Sequence, residues 1–161
     1  MKTKVLHIVR HGKAMQDAYD IQDNDRPLTV KGILNNITVA KKLIALYPAP
    51  DLIISSYAAR ALHTAHIFAR VTGYPHDKVL VNEDLYFQGD KKTYAILECL
   101  PDSINNVMIV GHNPDLTYVA KRFAPHIYEL STSSAVSITF ETSNWSKIFN
   151  SKTTYTHLNR E

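Results

Sequence analysis

Two kinds of apolar pattern alternate along the chain. Val5-Leu6-His7-Ile8-Val9 and Asn106-Val107-Met108-Ile109-Val110 are short and almost continuously apolar, as in strands buried on both faces of a parallel sheet. Asp51-Leu52-Ile53-Ile54-Ser55-Ser56 reads as a further strand running into a turn, and Val79-Leu80-Val81 as a short one. Between these runs the period changes. Val30, Ile33, Ile37, Ala40 and Ile44 recur at helical spacing, with Thr29 as N-cap and an end before Pro48. Ala58 to Thr72 predicts an alanine-rich helix stopped by Gly73 and Pro75. A helix from about Lys91 to Leu100 takes Asp90 as its cap, and Asn113 with Pro114 at the first helical position opens another. Ala135 to Phe140 alternates as an edge or antiparallel strand does, and residues 146–150 or 153–157 are its candidate partner. Residues 14–27 form a polar loop carrying Asp17, Asp20, Asp23 and Asp25. Strands alternating with helices predict an α/β fold, a three-layer sandwich whose mostly parallel central sheet has helices on both faces.

Composition narrows the classes. A length of 161 residues, 45% of them apolar and 20% charged, fits one folded domain over residues 1–161. No apolar run reaches the ~18–20 residues of a spanning helix, so no membrane association is expected. Cys99 is the single cysteine, which excludes an internal disulfide and a cysteine-based zinc site. Met1-Lys2-Thr3-Lys4 is basic, but His7, Arg10 and His11 interrupt the apolar stretch behind it. No signal peptide is expected, and the cytoplasm is the default compartment. The net charge of +3 is mild and scattered, unlike the basic stripe of a nucleic-acid reader.

In sheets of this kind ligands sit beyond the carboxyl ends of the strands. Three predicted strand ends carry chemically loaded residues: Arg10-His11-Gly12, Ser55-Ser56 leading to Arg60, and Gly111-His112-Asn113. Arg60 falls in the first turn of its helix, with Thr64 on the same face. A cation there opposes the helix dipole, unless both serve to hold an anion. Two imidazoles and two guanidiniums at one sheet edge repel one another unless a dianion joins them. Phosphate is such a dianion, and its oxygens match the guanidinium fork. His63 and His66 lie three apart on a helix, with no carboxylate or cysteine partner evident to complete a metal set.

Taken in order, Val9-Arg10-His11-Gly12, Arg26-Pro27-Leu28-Thr29 with Gly32, Ser55-Ser56 with Arg60 and Thr64-Ala65, Val110-Gly111-His112-Asn113-Pro114 and Thr132-Ser133-Ser134-Ala135 resemble the histidine phosphatase superfamily, in particular its short SixA-type phosphohistidine phosphatases. The resemblance spans nearly the whole chain and implies a phosphoglycerate mutase-like fold. It also implies that His11 is a nucleophile forming a phosphohistidine intermediate. Arg10, Arg60 and a protonated His112 would bind the phosphoryl oxygens, and no metal or other cofactor is needed.

Substrate class turns on the leaving group. An alkoxide requires a positioned acid, whereas imidazole, with a pKa of roughly 6.5, leaves readily from a protonated phosphohistidine. Glu83 and Asp84 fall in the region of such an acid, with the register ambiguous between them. Three readings follow. The first is a phosphatase acting on phosphohistidine in a protein partner such as a histidine phosphotransfer domain. The second is a phosphatase for small phosphate monoesters or anhydrides, with the aspartate-rich loop of residues 17–25 as a lid. The third is a non-catalytic phosphate-binding module. Glu83-Asp84-Leu85-Tyr86-Phe87-Gln88-Gly89 resembles a tag-removal protease site, but it sits mid-chain and reads as native.

Overall fold

The computed structural model describes residues 2–16 and 20–161; Asp17 of the polar loop and Met1 lie outside them. Six strands form one sheet: β1 (Lys4–Arg10), β2 (Leu52–Ser55), β3 (Leu80–Val81), β4 (Asn106–Gly111), β5 (Ala135–Phe140) and β6 (Thr153–Leu158). Their spatial order is β3-β2-β4-β1-β5-β6. The first four are mutually parallel; β5 runs antiparallel to β1, and β6 antiparallel to β5. Thus β5 is interior, covered by β6, while residues 145–150 form a short 3-10 turn.

Side chains alternate across the strands and feed two cores. Leu6, Ile8, Val107, Ile109, Val136 and Ile138 pack with α3 (Asp90–Glu98) and α4 (Asp115–Phe123), and with Trp145. Val9, Ile53, Met108 and Val110 pack under α1 (Val30–Leu46) and α2 (Ala59–Thr72). The expected three-layer architecture is therefore present, with a mixed sheet at its centre. No helix among the described residues is long and apolar enough to cross a membrane.

The helices correct the expectations in three places. The buried face of α1 is Gly32, Asn36, Val39, Ala40 and Leu43; of the apolar stripe only Ala40 is buried, Ile33, Ile37 and Ile44 are half-buried, and Val30 is 73% exposed. Asn36 turns that face inward because its amide donates to Thr64 Oγ1 at 3.0 Å inside the core. Helix α3 is capped by Gly89, not Asp90, and the Asp115 carboxylate accepts the Gly89 N–H at 2.9 Å. Helix α4 begins at Asp115, one residue late, yet Asn113 Oδ1 still accepts the Thr117 N–H at 3.2 Å, so its side chain does a cap's work from one position further out. Thr29 caps α1 as expected, accepting from the Gly32 N–H, and Gly73 closes α2 in the left-handed region at φ +81.

Candidate active site

A cleft of about 310 Å³ opens at the carboxyl ends of β1 and β4, and Arg10, His11, Arg60 and His112 all line it. The four positions picked out at separate strand ends are thus brought together. Asp23, Arg26, Phe87 and Thr132 complete much of the rim.

His11 follows β1 directly and is buried. Its Nδ1 lies 2.7 Å from the Gly12 carbonyl oxygen. A carbonyl only accepts, so Nδ1 carries the proton and Nε2 keeps its lone pair. That lone pair faces Arg60 Nε at 3.4 Å. Burial lowers the His11 pKa to about 4; the Gly12 bond opposes the shift, and the positive charges of Arg60, Arg10 and Arg26 add to it. The Gly12 N–H donates to Thr64 Oγ1 at 3.0 Å, and the Thr64 hydroxyl donates to the Arg60 carbonyl at 2.7 Å. Thr64 thereby fastens the histidine loop to α2.

Arg60, only 1% exposed, is held from its far side. Nη1 donates to the Asp23 carbonyl at 2.6 Å and Nη2 to Asp23 Oδ2 at 2.9 Å. Asp23 also accepts from Arg26 at 2.9 Å and from the Tyr86 hydroxyl. Desolvation pushes its carboxyl upward, but the bonds from Tyr86, Arg60 and Arg26 outweigh this and hold it well below the usual carboxylate range. Arg10 Nη1 donates to the Leu130 carbonyl at 2.8 Å, while its Nε is buried with no hydrogen-bond partner among the described residues.

His112 Nε2 is 2.8 Å from Ser56 Oγ, which also accepts the Ala58 N–H at 3.2 Å. Its Nδ1 is buried with no partner among the described residues, and its ring centroid lies 5.1 Å from that of His11. Burial, reinforced by His11 and Arg60, lowers the His112 pKa to about 2. Burial first, and then the neighbouring positive charges, favour the neutral ring here.

Glu83 and Asp84 are not brought into the cleft. Both lie on a 3-10 turn, Glu83–Leu85, that buries Leu85. Glu83 is exposed, Asp84 pairs with Lys92 at 3.6 Å, and neither is among the cleft-lining residues. Among the described residues the only carboxylate lining the cleft is Asp23. The aspartate-rich composition of the loop marked its region, but nothing in the sequence paired Asp23 with Arg60 across 37 positions. The arrangement (a ring nitrogen with its lone pair exposed to a guanidinium, a second guanidinium with a spare donor, and a second imidazole) suits a tetrahedral oxyanion.

Comparison with known proteins bears on the family and the fold. A sequence model of the histidine phosphatase superfamily (branch 1) matches residues 6–85. An uncharacterized protein of Picosynechococcus is 34% identical over 123 residues, covering 74% of this chain and 72% of the relative. The structure of a protein histidine phosphatase SixA complexed with tungstate superposes with a TM-score of 0.79 at 24% identity, covering 97% of each chain. A candidate phosphohistidine phosphatase SixA from Nakamurella multipartitia also gives a TM-score of 0.79, at 19% identity over 99% of this chain and 96% of the other.

Proposed function

This chain belongs to the histidine phosphatase superfamily, and we propose that it is a phosphatase that works through a phosphohistidine intermediate on His11 and acts on phosphohistidine in a protein partner. The observation that carries the proposal is the His11 ring itself. Its Nδ1 proton is engaged by the Gly12 carbonyl, which leaves Nε2 as a nucleophile beside Arg60. Burial keeps that ring unprotonated at neutral pH, so no base is needed to activate it.

In the proposed reaction Nε2 attacks phosphorus in line with the bond to the leaving group. The substrate ring enters protonated on the nitrogen that does not carry phosphorus, so the P–N bond breaks with its electron pair going to nitrogen and a neutral imidazole departs. The phosphoryl oxygens take Arg60 and the spare Arg10 Nε as partners. The incoming dianion reverses the local field, so His112 takes up a proton and its unpartnered Nδ1 becomes a donor. Water then attacks the phosphoryl group on His11, releasing inorganic phosphate and the free ring. Tungstate, bound by a relative of the same fold, is a tetrahedral oxyanion of the same kind.

The leaving group decides between protein phosphohistidine and small monoesters. An alkoxide needs a proton donor. Glu83 and Asp84 do not line the cleft, Asp23, held ionised by its partners, has no proton to give, and the proton on His112 is committed to a phosphoryl oxygen in the proposed reaction. Imidazole, whose pKa is roughly 6.5, is protonated by water near neutral pH and then departs as a neutral ring with no positioned acid. The expected result is turnover of a phosphorylated histidine phosphotransfer domain far faster than of glycerol or sugar phosphates. His11→Ala should lower turnover by about a thousandfold or more, and a phosphoenzyme stable in base and labile in acid should be trapped only with His11 present. Unchanged turnover in His11→Ala would overturn the mechanism. Efficient hydrolysis of sugar phosphates alone would shift the substrate to small esters.

A further inference from the structure

The turn that follows the Glu83–Leu85 segment holds an aromatic side chain that is half exposed on a backbone conformation unfavourable to it. Phe87 lies in the left-handed region at φ +54, a conformation that residues with a Cβ adopt at a cost. Its ring nevertheless remains 47% exposed, so burial gives little in return. Instead the ring lines the cleft. It stacks over His112 at 4.7 Å between centroids with the planes 33° apart. Tyr86 supports it from behind at 4.8 Å and meets the His112 edge at 5.2 Å. Tyr57 backs Tyr86 in turn at 4.8 Å.

Both ends of this turn are fastened. Leu85 is buried, the Tyr86 hydroxyl donates to Asp23, and the Gly89 N–H donates to the Asp115 carboxylate at 2.9 Å. An exposed apolar ring kept in a strained backbone beside an anion site is the pattern of a stored functional constraint. Its open face borders the same cavity as His11, where the group attached to a bound phosphoryl must project.

The geometry points to Phe87, backed by Tyr86, as a leaving-group subsite that selects flat aromatic rings attached to phosphorus over aliphatic alcohols. This rests on the reading of the cleft as a phosphoryl site and specifies what leaves from it. Aromatic rings attract one another in offset or tilted arrangements at 4.5–7 Å, to about fivefold to tenfold in affinity. A protonated imidazole adds attraction to the face of the phenyl ring. Phosphohistidine meets both conditions; serine or sugar phosphates meet neither.

Equilibrium binding of two non-hydrolysable anions tests this without turnover. Wild-type protein is expected to bind phenylphosphonate about fivefold to tenfold more tightly than methylphosphonate. Phe87→Leu, which keeps apolar bulk but lacks the π-face, brings that ratio close to one, and Phe87→Tyr restores it. Equal affinities in the wild type, or a ratio that survives in Phe87→Leu, would overturn the subsite whatever the enzyme turns over. A ratio that behaves as expected, in a protein that fails to hydrolyse phosphohistidine, supports the subsite and counts against the substrate alone.

Discussion

Arg60 divides its donors between two neighbours: Nε faces the His11 lone pair, while Nη1 and Nη2 are taken by Asp23. A phosphoryl group arriving at His11 must therefore share this guanidinium with a resident carboxylate. When a binding-competent state is only fractionally populated, apparent affinity falls by that fraction. Asp23→Asn keeps the main-chain contact to Nη1 but removes the competing charge, so inorganic phosphate should bind roughly threefold to tenfold more tightly; titration calorimetry checks this, and weaker binding would mean that Asp23 positions Arg60 instead of competing for it. At this scale the four candidate cleft residues were legible because each sits at a strand end or in a first helical turn, where local pattern fixes its place. Asp23, Tyr86 and Phe87 were not, because their roles arise from contacts between segments far apart in the chain. Glu83 and Asp84 misled for a related reason: charge and region matched an acid, but the turn spends its inward position on Leu85.

Among the elements, α1 shows how a helix can be shaped by the loop it must reach. A glycine in a helix interior costs about 1 kcal/mol relative to alanine, so Gly32 looks like a weakness. A Cβ there would lie 2.3 Å from the Lys13 carbonyl oxygen and 2.8 Å from the Lys13 nitrogen, and both are backbone atoms with little room to yield. The loop after His11 thus rests directly on α1, and Met15 and Thr29 complete the junction by hydrogen bonds to Pro27 and Lys13. Gly32→Ala should destabilise the protein by about 1–3 kcal/mol despite the gain in helix propensity, as read by urea denaturation. Phosphate affinity should fall with it, since Lys13 is two residues from the proposed nucleophile. The elements were largely legible from periodicity, caps and breakers, whereas the inward face of α1 was not. Its stripe follows Asn36 and Gly32, and a buried amide and a bare Cα carry no hydrophobic signal.

For the molecule as a whole, three buried imidazoles link folding to acidity. Burial leads the causes that lower the pKa values of His7 and His11 to about 4 and of His112 to about 2, against roughly 6.5 in an unfolded chain. As pH falls through 6.5 the unfolded chain takes up protons that the folded one refuses. Stability should thus be steady above about pH 7 and decline toward pH 4, by on the order of 1 kcal/mol per pH unit for each group. Urea midpoints at pH 7.5 and 5 measure this, and equal midpoints would contradict it. The overall layering was legible because the βα alternation admits few arrangements; the antiparallel addition of β6 was only half visible, since two segments competed for that place. One arrangement has a longer reach. Strand β1 is paired along its length on both sides, parallel to β4 and antiparallel to β5, so the backbone leading into His11 is locked into the middle of the sheet. The opposite wall of the cleft consists of short surface turns carrying Asp23 and Phe87. On the proposed reading, substitutions in those superficial turns can retrain what the molecule recognises without disturbing the doubly paired strand that carries His11.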